Sequence, residues 1–158
     1  MLIRKLQDQD MNEMLAMIHD TLYVINSKDY EMAEISRLIN NFNEEWLMEQ
    51  KAYVHFYVAM IDQKIVGCVG LHKINDQQVK LQTLFVSSKY QKQHIATTLL
   101  KYIQNDEYYL NSNELILDAS ISALTFYLKL GFEYQNTTNM DEDGLYALKL
   151  NIKKQMMK

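Results

Sequence analysis

From residue 81 to 100 the chain reads Leu-Gln-Thr-Leu-Phe-Val-Ser-Ser-Lys-Tyr-Gln-Lys-Gln-His-Ile-Ala-Thr-Thr-Leu-Leu, the stretch with the clearest chemical pattern in the sequence. It begins with strand alternation, Leu81, Thr83 and Phe85 on one face and Gln82, Leu84 and Val86 on the other. After a polar turn the apolar period becomes helical, with Ile95, Leu99 and Ile103 four apart and Leu100 beside them. A strand that passes through a tight polar loop into a helix N-terminus builds an anion site. The amides of the first turn have no internal partners, and the helix dipole is positive there. A phosphate is therefore expected at this junction.

Other residues able to do chemistry are scattered. His72 stands near the end of a strand, and its imidazole, titrating near neutral pH, would suit a general base; a lone histidine beside a turn is more often solvated. His19 and His55 carry nothing that sets them apart. Cys68, with Gly67 and Gly70 around it and no activating partner, reads as a small buried side chain. Glu44-Glu45, Asp106-Glu107 and Asp141-Glu142-Asp143 read as solvated groups at turns and helix ends. Tyr127 shares a helical face with Leu124 and Leu128, which by spacing alone favours a core aromatic. No metal-ligand spacing is present, so no metal is expected.

The elements that must position these residues follow from periodicity. Leu2, Ile3 and Leu6 suggest a first strand, and Asp8 or Asp10 can cap a helix with the stripe Met11, Leu15, Ile18, Leu22, Ile25. Met32, Ile35, Ile39 and Phe42 make a second helix, and Asn43 can cap a short turn carrying Trp46. Residues 53–61 and 65–71 form a strand hairpin about Asp62-Gln63-Lys64, and Asn75-Asp76-Gln77 turns into the strand at Leu81. Leu115-Ile116-Leu117 is a short buried strand. Ser120 is placed as N-cap of a helix from Ile121 to Leu130, with Gly131 in the left-handed position that ends it. Phe132-Glu133-Tyr134 and the alternation from Leu145 to Ile152 close the sheet, and the basic tail from Lys153 to Lys158 reads as frayed. The order predicts an α+β mixed sheet with helices on both faces. Crossovers after the fourth and fifth strands would make its middle parallel.

Composition narrows the classes. A length of 158 residues is enough for one domain with a full core, and 48% apolar with 23% charged residues is ordinary for a globular chain. A net charge of −4 does not favour nucleic acid as a partner and mildly suits cationic ones such as amines. One cysteine excludes an intrachain disulfide. No apolar run spans a bilayer, and Arg4-Lys5 brings charge too early for a signal peptide, so a soluble cytoplasmic protein with no membrane partner is expected.

Two blocks carry a resemblance. Leu84-Phe85-Val86, then Tyr90-Gln91-Lys92-Gln93-His94-Ile95-Ala96 and Leu99-Leu100, resembles the acetyl-CoA signature of the GNAT N-acetyltransferase superfamily. Leu117-Asp118-Ala119-Ser120, then Ala123, Phe126-Tyr127 and Leu130-Gly131-Phe132, resembles that family's later strand and helix. The resemblance implies a single domain over residues 1–158, a mixed sheet of about seven strands, and acetyl-CoA as cosubstrate. It implies an N-acetyltransferase acting on a primary amine of a small molecule or peptide. A non-catalytic acyl-CoA-binding or interaction module on the same fold is the alternative. It also implies a homodimer through late edge strands.

By the same resemblance, the backbone of Leu84, Phe85 and Val86 would hold the acyl carbonyl and pantetheine arm, and amides from Gln91 through Lys92, Gln93, His94 and Ile95 to Ala96 the pyrophosphate. Ser120 would touch the CoA arm, although an N-cap role explains it equally; Phe126 is the purer core residue. Tyr127 would be the general acid toward the departing thiolate. Met11, Met14 and Met17 would either line the acceptor pocket or pack the core. Two departures stand out. His94 occupies the place of a loop glycine, where it is either an exposed first-turn residue or a ligand contact, and Gln82 and Thr83 offer no carboxylate where the family often has a basic Glu.

Overall fold

A computed structural model describes residues 1–153; the expectation of a frayed tail falls on residues 154–158, outside the described residues, apart from Lys153. Seven strands form one mixed sheet: β1 (Leu2–Lys5), β2 (Val54–Ile61), β3 (Lys64–Lys73), β4 (Gln78–Val86), β5 (Glu114–Ala119), β6 (Glu133–Tyr134) and β7 (Tyr146–Asn151), in the order β1-β2-β3-β4-β5-β7-β6. The helices are α1 (Met11–Val24), α2 (Met32–Asn41), α3 (Glu44–Gln50), α4 (Ile95–Tyr102), α5 (Glu107–Leu110) and α6 (Ile121–Lys129). The β2–β3 hairpin turns through Asp62 and Gln63, both left-handed (φ 51 and 65), the two-residue turn whose twist matches its strands.

Two apolar clusters hold the sheet from its two faces. Met11, Met14, Leu15, Met17, Ile18 and Leu22 of α1, with Leu47 of α3, pack on Val54, Phe56, Val58, Ile65 and Cys68. Ile95 and Leu99 of α4, Tyr109 of α5 and Tyr127 of α6 pack with Val69, Leu71, Val79 and Leu117 on the other side. The three methionines of α1 are thus core residues, and none lines the cavities described below. Gly67 permits the close approach of α4: a Cβ there would lie 3.0 Å from Ile95 and 3.2 Å from Leu99.

Parallel pairing is narrower than the crossovers suggested. Among the described residues only β4 and β5 are parallel neighbours, over Gln78–Lys80 and Glu114–Ile116; β7 returns antiparallel to β5 and inserts between it and β6. Helix caps also differ from expectation. Asp10 does not cap α1 with its side chain; it accepts from the Gln7 amide (2.8 Å) in a capping box around the 3-10 turn at Asp8–Asp10 and binds Arg4 with both oxygens (2.6 and 3.0 Å). That guanidinium fork holds the Asp10 carboxyl below its usual range. Asp106, read as a solvated carboxylate, is buried: it caps α5 through the Tyr108 amide and binds His55 and Tyr57 of β2.

Candidate functional site

The C-terminal half of β4 is where the sheet opens. Beyond Lys80 its register with β5 stops, so Leu81–Val86 diverges from Leu117–Ala119 and leaves a wedge between two parallel strands. A bulge sharpens the divergence. The β3–β4 register jumps from Cys68↔Phe85 to Gly70↔Gln82, and Thr83 takes a left-handed torsion (φ 57). The extra residue breaks the simple alternation read from the sequence. Leu81 packs in the cluster under α4 together with Leu84 and Val86, whereas Phe85 faces the α1 side. Cys68 supports the bulge, its thiol donating to the Thr83 carbonyl at 3.2 Å. Burial pushes that thiol up to about 12, so it stays protonated and is no nucleophile.

Three adjoining cavities follow the wedge. One of about 240 Å³ lies against the loop from Gln91 to Ala96 and includes Val86 and Phe126 in its wall. A second of about 350 Å³ shares Val86, Gln91, Ala96 and Phe126 with it and continues past Leu84, Phe85, Ser120 and Tyr127. A third of about 380 Å³ shares Leu84, Phe85, Ser120 and Tyr127 with the second and extends to α2 and Asp143. Together they make one channel running from the loop, along β4, to a terminal pocket.

The loop end is built by backbone torsion. Lys92 (φ 61) and His94 (φ 60) are left-handed while Gln93 between them is not, and such alternation turns successive amides toward one concavity. His94 is the N-cap residue of α4 without a side-chain cap bond, so it adopts the torsion a glycine would supply while its imidazole stays exposed. The Gln91 side chain staples the loop to the strand end, its Nε2 donating to the carbonyls of Val86 (2.8 Å) and Ser87 (3.1 Å). His94→Gly keeps the loop shape and removes the left-handed penalty, offset in part by the greater freedom of unfolded glycine. We expect stabilisation of about 0.5–1 kcal/mol in urea titrations. A lower midpoint would mean that the imidazole itself holds the loop.

At the far wall, α6 carries Tyr127 and is fixed at both ends. Its last turn closes as a Schellman motif: the Gly131 amide (φ 101) donates to Leu128, the Phe132 amide to Tyr127, and the Phe132 and Tyr127 rings meet edge-on at 5.4 Å. At its start Ser120 sits in N-cap geometry, but its hydroxyl makes no cap bond. The capping carboxylate comes from Asp29, in the turn before α2, which accepts from the Ser122 amide (3.3 Å) and the Ser122 hydroxyl. Ser120 is thereby left to face the channel. Tyr127 is 7% exposed, and its hydroxyl has no hydrogen-bond partner among the described residues. Burial raises its phenol pKa far above the ordinary value, so it remains a proton donor at any working pH.

The structure thus brings Leu84, Phe85, Val86, Gln91, Lys92, Gln93, His94, Ile95, Ala96, Ser120 and Tyr127 to the walls of one channel. His72 is not among them; its ring lies 4.9 Å from that of Tyr53, just before β2, at a tilt of 45°. Phe126, read as core, packs against the main core cluster and also lines the channel, because α6 turns it toward the loop. Asn26, Tyr30, Glu34 and Asp143 also line the terminal pocket, and no local sequence pattern marks them. Among the described residues no cluster of His, Cys, Asp or Glu could hold a metal ion, and no helix is long and apolar enough to cross a membrane.

Comparison with known proteins places this geometry. The uncharacterised N-acetyltransferase YafP of Escherichia coli K12 is 28% identical over 131 residues, 83% of this chain and 80% of that protein. The PaiA N-acetyltransferase of Thermoplasma acidophilum, solved in complex with coenzyme A, superposes with a TM-score of 0.83 at 20% identity, over 95% of this chain and 98% of that one. An aminoglycoside 6′-N-acetyltransferase complexed with coenzyme A superposes at 0.73 and 13% identity, over 96% and 97% of the two chains. These last two likenesses are of fold. The acetyltransferase (GNAT) domain family matches residues 25–154, most of the sequence, and the chain belongs to that family.

Proposed function

We propose that this chain is an acetyl-CoA-dependent N-acetyltransferase that acetylates a primary amine. The observation that carries this reading is the continuous channel with the loop from Gln91 to Ala96 at one end and, where it meets the terminal pocket, a mostly buried tyrosine whose hydroxyl has no hydrogen-bond partner among the described residues. The residues fit a CoA thioester. The loop concavity offers alternating-hand backbone for a pyrophosphate, and the wedge beside Leu84–Val86 has room for an extended arm.

Bound acetyl-CoA supplies the activated acetyl group. The loop from Gln91 to Ala96 holds the pyrophosphate, and Ser120 contacts the arm. The backbone at Leu84–Val86, no longer engaged by β5, donates to the thioester carbonyl, where negative charge grows as the amine attacks. Tyr127 Oη gives its proton to the departing sulfur. The channel lies within one chain, so the reading needs no partner subunit.

The test is calorimetric titration with acetyl-CoA, free CoA and ATP, followed by an assay of thiol release with amines. Saturable acetyl-CoA binding well above ATP together with amine-dependent turnover supports the reading. Binding without turnover on any amine would make the chain an acyl-CoA-binding module, and no binding at millimolar ligand would remove the cofactor site.

A further inference from the structure

A fourth cavity, of about 130 Å³, lies away from the channel, between α4, α5 and the β5–β7 pair. Of its lining residues Thr97 alone also borders the channel. Exposure orders its wall. Tyr109, Leu115 and Phe132 are buried and form the floor, Leu100 and Leu150 are half-buried, and Lys101 is exposed at the mouth. The volume is close to the roughly 150 Å³ of an apolar cavity that binds benzene, so a six-membered ring or a branched chain of that size fits.

Two groups give the cavity a chemical preference. Tyr109 is 3% exposed, yet its hydroxyl makes no hydrogen bond among the described residues. No side-chain oxygen or nitrogen is sealed there without a partner, so the Tyr109 oxygen keeps access to open space, and this cavity is the space its side chain borders. Burial holds the phenol above its ordinary pKa, and it stays a donor at neutral pH. A mostly buried donor left without an acceptor is costly, and a ligand oxygen would relieve that cost. The second group is Lys101. It lies on the α4 face that carries Thr97, four residues earlier, and its ammonium has no ion pair among the described residues. No carboxylate lines the cavity, so its mouth favours an anion over a cation.

We propose that this cavity is a second ligand site, for a small carboxylate whose ring or branched chain fills the apolar floor and whose oxygens accept from Tyr109 and face Lys101. Benzoate and 3-methylbutanoate have this form. The site stands independently of the N-acetyltransferase reading, because it shares only Thr97 with the channel.

Titrations followed by backbone amide chemical shifts test this, with sodium benzoate, benzyl alcohol and benzylammonium chloride as probes and acetyl-CoA absent. We expect saturable benzoate binding with a Kd of about 1 mM, shifts centred on α4, α5 and Phe132, and benzylammonium at least about tenfold weaker. Tyr109→Phe should weaken benzoate and benzyl alcohol alike, by about fivefold; it removes a hydroxyl with no protein partner among the described residues, so the variant should melt where the parent does. Lys101→Gln, on an exposed side chain, should weaken benzoate about threefold, less at high salt, and leave benzyl alcohol unchanged. No saturation by about 20 mM benzoate, shifts centred on the β4 wedge instead, or equal binding of benzoate and benzylammonium overturns the site. So does a Tyr109→Phe variant that melts with the parent and binds benzoate as tightly.

Discussion

Under the proposed function, Tyr127→Phe should lower the turnover number by about a hundredfold and leave the acetyl-CoA dissociation constant unchanged. General acid catalysis spans about 10²–10⁴ in rate, and the lower end applies because a thiolate with a conjugate thiol pKa near ~8.5 is already a competent leaving group. Such a drop is a barrier increase of about 2.7 kcal/mol. The substitution isolates the proton from the packing. The hydroxyl has no protein partner to lose among the described residues, the ring keeps its edge contacts with Phe126 and Phe132, and the Schellman closure of α6 involves only its backbone. The folded variant should therefore melt where the parent does. Because burial holds the phenol far above its ordinary pKa, the parent's rate should show no alkaline limb from this group below about pH 10. An unchanged turnover number would take Tyr127 out of the acid role.

What the sequence revealed and what it hid divide along physical lines. Periodicity reports which residues face a core, so the strands, α1, α2, α4 and α6 were legible, as was the loop, whose polar residues interrupt two clear periods. Backbone torsions of non-glycine residues leave no such trace. Thr83 and His94 both take left-handed conformations that their side chains disfavour, and one inserts the bulge while the other shapes the loop into α4. The alternation read through Leu81–Val86 was consequently right up to Gln82 and inverted after it. Contacts distant in sequence were equally silent. The Asp29 carboxylate caps α6 from more than ninety residues away, which frees Ser120 for the channel, and no local pattern could have assigned that cap. The terminal pocket draws part of its wall from α2 and from the turn before β7, so it appears only when the chain is folded.

Asp106→Ala should destabilise the fold by about 3 kcal/mol, a large share of the roughly 5–15 kcal/mol that holds a domain of ordinary stability. The carboxylate is 6% exposed and serves three donors: His55 Nδ1 at 2.9 Å, the Tyr57 hydroxyl at 2.5 Å and the Tyr108 amide at 2.7 Å. The first two come from β2 and the third lies in the first turn of α5, so one side chain ties β2 to the segment that follows α4. Removing it strands a buried phenol, which then bears its desolvation cost alone, and a half-buried helix-start amide. Tyr57 marks this interior well: burial and the Asp106 contact push its phenol pKa far up. Asp106→Asn keeps the size, can accept from the Tyr108 amide with its one carbonyl oxygen and can donate its NH2 to the Tyr57 hydroxyl oxygen, so it should lose less, about 1–2 kcal/mol. The stack of His55 on Tyr108, with centroids 3.7 Å apart and planes 7° from parallel, should survive in both variants. Urea denaturation of the two variants and of the Asp106→Ala/Tyr57→Phe double variant decides the matter. A double variant less destabilised than the sum of the singles is expected, because the stranded phenol is gone; additivity, or an Asp106→Ala within about 0.5 kcal/mol of the parent, would mean water already replaces these bonds.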